Sequence, residues 1–269
     1  MKISIVTSCF NRVQTIRACM QSVMQQVYPD VEYIVVDGAS TDGTWEVVRE
    51  MELYAKSEEF GREHPRFSMK VLSEPDHGMY EAINKGIRMA TGDYIGLVHS
   101  DDFLFAKQTI ARVAERLERT KADFLYGDGL FVDFNNTDKV VRNWIGGRHS
   151  VWKVKNGWLP LHPTCYMKRQ VMMERGLYDE SYKIAADSDL LFRYLLKGDL
   201  KVTYLKEYIV RMRMGGLSTD SAKRRQMWNE DIRLLRANGF VFPRIAKMEK
   251  MMWKVPQFVK AKLMGATVG

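Results

Sequence analysis

The run Val31–Asp37 (VEYIVVD) sets the strongest limit on how this chain can fold. It is short and, Glu32 and the closing aspartate apart, apolar or aromatic. Such a run reads as a strand covered on both faces. Comparable runs recur at Lys2–Cys9, Met69–Ser73 and Asp93–Ser100 (the last ending in DYIGLVHS). Between them the apolar spacing turns helical. In Val13–Val27 it falls on Val13, Ile16, Met20, Val23, Met24 and Val27, and Thr44–Ala55 and Tyr80–Ala90 follow the same period. A helix at Lys107–Arg119 precedes a strand at Asp123–Tyr126. Alternating buried strands and helices predict an α/β fold: a Rossmann-like, mostly parallel sheet flanked by helices.

After about residue 125 the pattern changes. Asp128-Gly129 reads as a turn between strands Phe124–Tyr126 and Leu130–Phe134. Residues 135–163, rich in Trp, Gly and Asn, predict an antiparallel or loop-built lobe over the first half. Lys168–Arg175 and Ser188–Leu196 read as helices and Val202–Met212 as a strand. Polar Lys56–Arg66 reads as an exposed loop.

Charge divides the chain differently. Residues 221–269 hold 11 Lys and Arg against 3 Asp and Glu, which leaves residues 1–220 balanced at 30 of each. The expected organisation is one main domain over 1–220, in two halves (1–105 and 106–220), and a basic amphipathic helical tail over 221–269. In that tail basic residues interleave with Met, Trp, Phe and Leu, which suits a helix lying on an anionic membrane surface. No apolar run approaches the roughly 18 residues that span a bilayer, and the N-terminus reads as a first strand rather than a signal peptide. The expected location is cytoplasmic, peripheral on the membrane.

Several chemistries are disfavoured. Cys9, Cys19 and Cys165 form no CxxC pair, so they read as small buried hydrophobes. No HxxxH or HExxH spacing suggests zinc. Ser8-Cys9-Phe10-Asn11-Arg12 stands where a dinucleotide fold would carry GxGxxG. No nucleic-acid reader motif accompanies the basic tail, so nucleic acid is not an expected partner.

In open α/β sheets ligands bind beyond the carboxyl ends of the strands. Acidic residues gather there. Asp37 opens the loop DGASTDGT, and Asp101-Asp102 closes the strand before it. Adjacent carboxylates repel, and a Mg²⁺ or Mn²⁺ ion with a diphosphate relieves that. Asp42 reads as a cap for the helix starting at Thr44.

Five segments in register, Ile3–Arg12, Ile34–Thr44, Glu74–Gly86 (EPDHGMYEAINKG), Ala90–Asp102 and Ala186–Leu191 (ADSDLL), resemble glycosyltransferase family 2, with its GT-A fold. The Glu74–Gly86 form resembles members that build bacterial exopolysaccharide, capsule or lipopolysaccharide. The resemblance implies an inverting transfer from a nucleotide diphosphate sugar, a UDP-sugar first, to a saccharide or lipid-linked saccharide acceptor, with 1–220 as the catalytic domain, 1–105 its nucleotide-sugar half and 106–220 its acceptor half. It implies that Asp37 holds the base with Thr7 lining the same pocket, that Asp101 contacts ribose, and that Asp102 binds the divalent cation (Mn²⁺ or Mg²⁺). Asp187 would be the catalytic base, with Asp189 its competitor. Asp76 and Lys85 fall in a segment that shapes the donor site. Two positions depart from the family pattern: Ala186 where relatives carry Glu, and Ile83 where they often carry Arg. The first keeps a catalytically silent sugar-nucleotide binder in view as the alternative. Arg211, Arg213 and the Gly215–Thr219 run would suit a diphosphate, His162-Pro163 the acceptor, and Trp144, Trp152 and Trp158 a sugar ring or a small core.

Overall fold

The computed structural model describes residues 1–215, 223–253 and 256–257. Strand β1 (Ile3–Cys9) leads through α1 (Ile16–Met24) to β2 (Val31–Asp37). Helices α2 (Thr44–Ala55) and α3 (Glu58–Glu63) precede β3 (Ser68–Ser73). Then follow α4 (Met79–Met89), β4 (Tyr94–Leu97), the short β5 (Phe103–Leu104) and α5 (Thr109–Thr120). The second half runs β6 (Phe124–Val132), β7 (Val140–Trp144), α6 (Val151–Lys155), β8 (Tyr166–Lys168), α7 (Arg169–Arg175), α8 (Ala186–Leu195) and β9 (Val202–Arg213). Two helices close the described chain, α9 (Arg224–Ala237) and α10 (Pro243–Met252).

The strands form one sheet in the order β3-β2-β1-β4-β8-β6-β9-β5, with β7 paired to β6. Strands β1 to β4 are mutually parallel, and β6 is parallel to β9. The chain steps outward from β1 to β2 and β3, then returns to place β4 on the other side of β1. That reversal opens a crevice at the carboxyl ends of β1 and β4. The sheet is covered on both sides. One face packs α1, α2 and α5, through residues such as Met20, Val48 and Ile110. The other packs α4, α8 and α9, through Ile83, Leu191, Leu234 and Leu235. The basic segment therefore begins with a helix whose apolar face belongs to the main core. All three cysteines are buried and free.

Two sequence expectations fail here. Asp128-Gly129 makes no turn, because β6 runs unbroken from Phe124 to Val132. Its Asp128 carboxylate is buried, accepting from the Gly146 N–H at 2.8 Å and the Tyr204 hydroxyl at 2.7 Å. The register against β9 shifts at this point, so the pair serves an irregularity within the strand. Gly129 is needed for packing: a Cβ there would lie 2.4 Å from Leu161. Second, Lys56–Arg66 is no plain loop. Ser57 caps α3 by accepting the Phe60 N–H, and buried Phe60 anchors it against His64 and Phe67. Residues 135–163 carry β7, which pairs antiparallel with β6, and the short α6, while β6, β8 and β9 extend the first sheet.

Candidate active site

The loops after β1 and β2 are stitched together by side chains. Ser40 accepts the Asn11 N–H at 2.8 Å, and the Asn11 side chain accepts the Thr41 N–H at 2.9 Å. Thr44 accepts the Arg12 N–H at 2.7 Å, and Asp42 accepts those of Val13 and Thr44. Asp37 lies beneath this junction, fully buried. Its carboxylate accepts the Ser40 N–H at 3.0 Å and the hydroxyls of Ser40 and Ser73. Thr7 is equally buried, its hydroxyl donating to the Val98 carbonyl at 2.7 Å and contacting the Tyr33 hydroxyl. Both residues hold the strand ends in place from within.

Above them lies a hollow of about 280 Å³. Ser8 of β1, Arg12 after it, and His99, Asp101 and Asp102 after β4 form one wall. Asp187 and Ser188 of α8 form another, with Asp231 of α9 and Lys250 of α10 beside them. Apolar Phe131, Trp144 and Leu161 fill in the remainder. His162 and Pro163 also line it. Trp158 lies in the main core, and Trp152 is two-thirds exposed. A more open groove of about 400 Å³ between α1 and β5 carries no carboxylate on its lining.

Asp101 and Asp102 have unlike surroundings. Asp102 is 2% exposed, and its Oδ1 accepts the Arg213 N–H at 3.0 Å. Its Oδ2 is buried with no hydrogen-bond partner. Burial, reinforced by the neighbouring Asp101, pushes the Asp102 carboxyl well above the usual range, and Arg213 opposes this only partly. A buried carboxylate oxygen without a donor is costly. It is the feature expected where a cation completes the site. Among the described residues no three His, Cys, Asp or Glu side chains cluster as a ready-made metal cage. Mg²⁺ and Mn²⁺ commonly take one or two carboxylates and complete their shell with phosphate and water. Asp102 thus suits a divalent cation carried with a diphosphate.

Cationic side chains surround this point. The Arg213 guanidinium donates to the Asp101 carbonyl and lies over Phe103. Arg142 lies between the rings of Phe131 and Trp144, 4.7 and 4.6 Å from their centres, and burial lowers it to about 10. Arg211 pairs instead with Asp138. Gly216–Thr219 lie outside the described residues, as does the tail from residue 258. The histidine rings of His99 and His162 stack 6.1 Å apart. Burial holds His162 down to about 4 and lowers His99 too, so both enter the site as neutral rings.

Helix α8 starts at Ala186, so Asp187 sits in its first turn rather than capping it. Asp187 is half-buried and accepts the Ser188 N–H at 2.7 Å. Asp189 points elsewhere: it is buried, paired with Arg193 at 2.8 Å and hydrogen-bonded by Asn238 at 3.0 Å. Of the two, only Asp187 lines the hollow.

Asp76 and Lys85 lie off that lining. Asp76 accepts the Gly78 N–H with one oxygen. Its other oxygen lies 2.5 Å from where a Gly38 Cβ would stand, and half-exposed Phe10 borders the same spot. Any larger residue at position 38 would make that carboxylate shift. Lys85 pairs with Glu74 at 2.8 Å and Glu81 at 2.9 Å and donates to the Pro75 carbonyl, so it holds the loop that carries Asp76. The residues that sequence reasoning missed are Glu230, Asp231 and Lys250. Their one sequence signal is that Glu230 and Asp231 are adjacent carboxylates in a basic stretch.

The model of the family described as glycosyl transferase family 2 matches residues 4–180. The PGL/p-HBAD biosynthesis glycosyltransferase of Mycobacterium tuberculosis is 27% identical over 219 residues, covering 80% of this chain and 78% of that protein. EpsJ of Bacillus subtilis, described as an uncharacterized glycosyltransferase, is 25% identical over 197 residues, 69% of this chain and 54% of its own. Among solved structures, S. aureus TarS 1-349 in complex with UDP-GlcNAc matches with a TM-score of 0.64 at 18% identity, covering 88% of this chain and 66% of that chain. Against the longer TarS structure the match spans 39% of that chain. The mannosyltransferase PcManGT from Pyrobaculum calidifontis, in complex with GDP-Man and Mn2+, matches with a TM-score of 0.64 at 18% identity, covering 100% of this chain and 76% of that chain. At that identity the solved structures show a shared GT-A fold.

Proposed function

The chain belongs to glycosyl transferase family 2, and from that membership we propose that its hollow moves a sugar from a nucleotide diphosphate donor, a UDP-sugar first, to an acceptor hydroxyl with inversion. The observation that carries this reading is the pairing of Asp102, with its partnerless buried oxygen, and Asp187 on the walls of one hollow.

Asp102 is the residue that would hold the cation. A divalent ion bound there supplies Lewis-acid stabilisation of the charge that grows on the departing diphosphate. Arg12 and Arg213 line the same wall, and planar guanidinium groups suit phosphate oxygens. Asp101 serves the ribose. Asp76 and the exposed Phe10 ring flank the base, while Thr7, Asp37 and Lys85 shape the loops that receive it. The acceptor oxygen attacks the anomeric carbon, and the electron pair of the breaking bond leaves with the diphosphate. Asp187 takes the acceptor's proton as general base. One displacement inverts the anomeric centre and needs no covalent sugar–enzyme adduct. Trp144 and the neutral His99–His162 pair form a surface on which a sugar ring can pack.

A thermal-shift and turnover panel of UDP, GDP and dTDP sugars with MnCl₂ tests this. A nucleotide that binds only the folded protein raises Tm. UDP-sugars are expected to give the largest shift and to release UDP in the presence of an acceptor. A shift with no sugar nucleotide turned over would favour the silent binder.

The acceptor in this reading is a lipid-linked saccharide, reached at an anionic membrane surface. Supporting it, Val241, Phe242, Ile245, Met248, Met251 and Met252, in and just before α10, are each more than half exposed, and Arg236 and Arg244 are exposed beside them. Contiguous exposed apolar surface of this kind marks interaction sites. Among the described residues no helix is long and apolar enough to cross a membrane. In liposome flotation the wild type is expected to rise with phosphatidylglycerol vesicles, and a double variant Ile245→Glu, Met248→Glu, altered only at exposed side chains, to stay behind. Equal flotation of both would remove the membrane from the reading.

A further inference from the structure

Helix α8 carries Asp187 in its first turn, and the three backbone N–H groups before the helix belong to Lys183, Ile184 and the N-cap Ala185. Here they converge on one carboxylate from a distant helix. Glu230 of α9 is 8% exposed. Its Oε2 accepts the Ile184 N–H at 2.9 Å and the Ala185 N–H at 3.0 Å. Its Oε1 accepts the Lys183 N–H at 3.1 Å and the Gln226 side chain at 2.9 Å. Four donors thus saturate the group. Ile184 is held from its other side too, because the buried Tyr80 hydroxyl donates to its carbonyl at 2.7 Å. One residue after Asp187, the Ser188 hydroxyl accepts from Lys250 at 2.8 Å, and Lys250 also pairs with Asp231 at 2.7 Å.

We infer that Glu230 is a positioning residue for glycosyl transfer: its carboxylate fixes residues 183–185 and, through them, the angle at which Asp187 enters the hollow. This rests on the reading of Asp187 as the base. The geometry suits that task better than a general stabilising one. Glu230 lies next to Asp231, which lines the hollow, and all three of its backbone partners fall within four residues of Asp187. A negative group at a helix N-terminus is favourable in its own right. Glu230 also supplies a carboxylate to a helix start where the chain itself carries Ala186.

The test uses the full chain with Glu230→Ala, Glu230→Gln and Asp187→Asn. Three quantities are read: kcat and KM for whichever sugar nucleotide of the panel turns over, the Kd of UDP with MnCl₂, and Tm. A displaced reacting group costs on the order of 10²-fold, so Glu230→Ala is expected to lose about that much in kcat with UDP affinity unchanged within about twofold. Glu230→Gln keeps an oxygen for the Ile184 and Ala185 amides and is expected to recover at least about tenfold of the loss, which a charge effect alone would not give, while Tm read beside kcat separates a loss of folded protein. The inference is falsified if Glu230→Ala keeps its kcat, or if glutamine performs no better than alanine. Should the alanine variant fail to fold, the glutamine variant decides by itself: kcat as low as that of Asp187→Asn overturns the inference. If Asp187→Asn retains transfer, it is the base reading that fails. If only Asp187→Asn loses it, Glu230 alone is wrongly placed.

Discussion

Replacing Asp187 by asparagine is expected to cut sugar transfer by about 10²–10⁴-fold, the contribution typical of a positioned general base, and to leave UDP binding intact. Asparagine has the same shape and can still accept the Ser188 N–H, so the first turn of α8 stays formed. It cannot take the acceptor's proton. The effect should therefore fall on kcat with little change in donor affinity. Measuring initial rates of UDP release with acceptor, beside calorimetric UDP binding, separates the two. Asp189→Asn is the matched control. It breaks the pairing with Arg193 at the side of α8 away from the hollow, and is expected to lower Tm more than it lowers kcat. Full transfer by Asp187→Asn would sink the base assignment, and a rate lost only in the Asp189 variant would move it there.

The second large effect is expected at Asp102. Changing it to asparagine should weaken Mn²⁺-dependent UDP binding by on the order of 100-fold or more, since even outer partners of a metal ligand cost about 10–100-fold in affinity. The substitution preserves the acceptor for the Arg213 N–H and removes the negative charge from the partnerless oxygen. Binding of UDP without metal should change little, so the readout is the difference between titrations with MnCl₂ and with EDTA. Wild type should also gain Tm from UDP and Mn²⁺ together, and the variant should gain much less. An equal metal increment in both proteins would show that the cation lies elsewhere.

Much of the first half was legible because its signals are local. Buried strands declare themselves by apolar runs and helices by their period, and β2 and α2 match their sequence limits residue for residue. Later segments misled where a local signal met a distant partner. Asp128-Gly129 has turn composition, yet Tyr204 and Gly146 draw Asp128 into the sheet. Ser57 and Phe60 turned a polar stretch into α3, since one cap and one buried ring suffice for a short helix.

The sequence by itself determined the α/β class, the family, and the presence of carboxylates at the strand ends, because periodicity and motif spacing are properties of neighbouring residues. Only the tertiary structure decided which carboxylates face the hollow. It turned Asp37 and Thr7 inward among hydrogen-bond partners and gave Asp189 to Arg193. It left Asp187 at the wall, and it brought Glu230 to the start of α8 from 45 residues away. The physical reason is that a carboxylate's role depends on which donors surround it. In a folded chain those donors come from segments whose meeting no local pattern records.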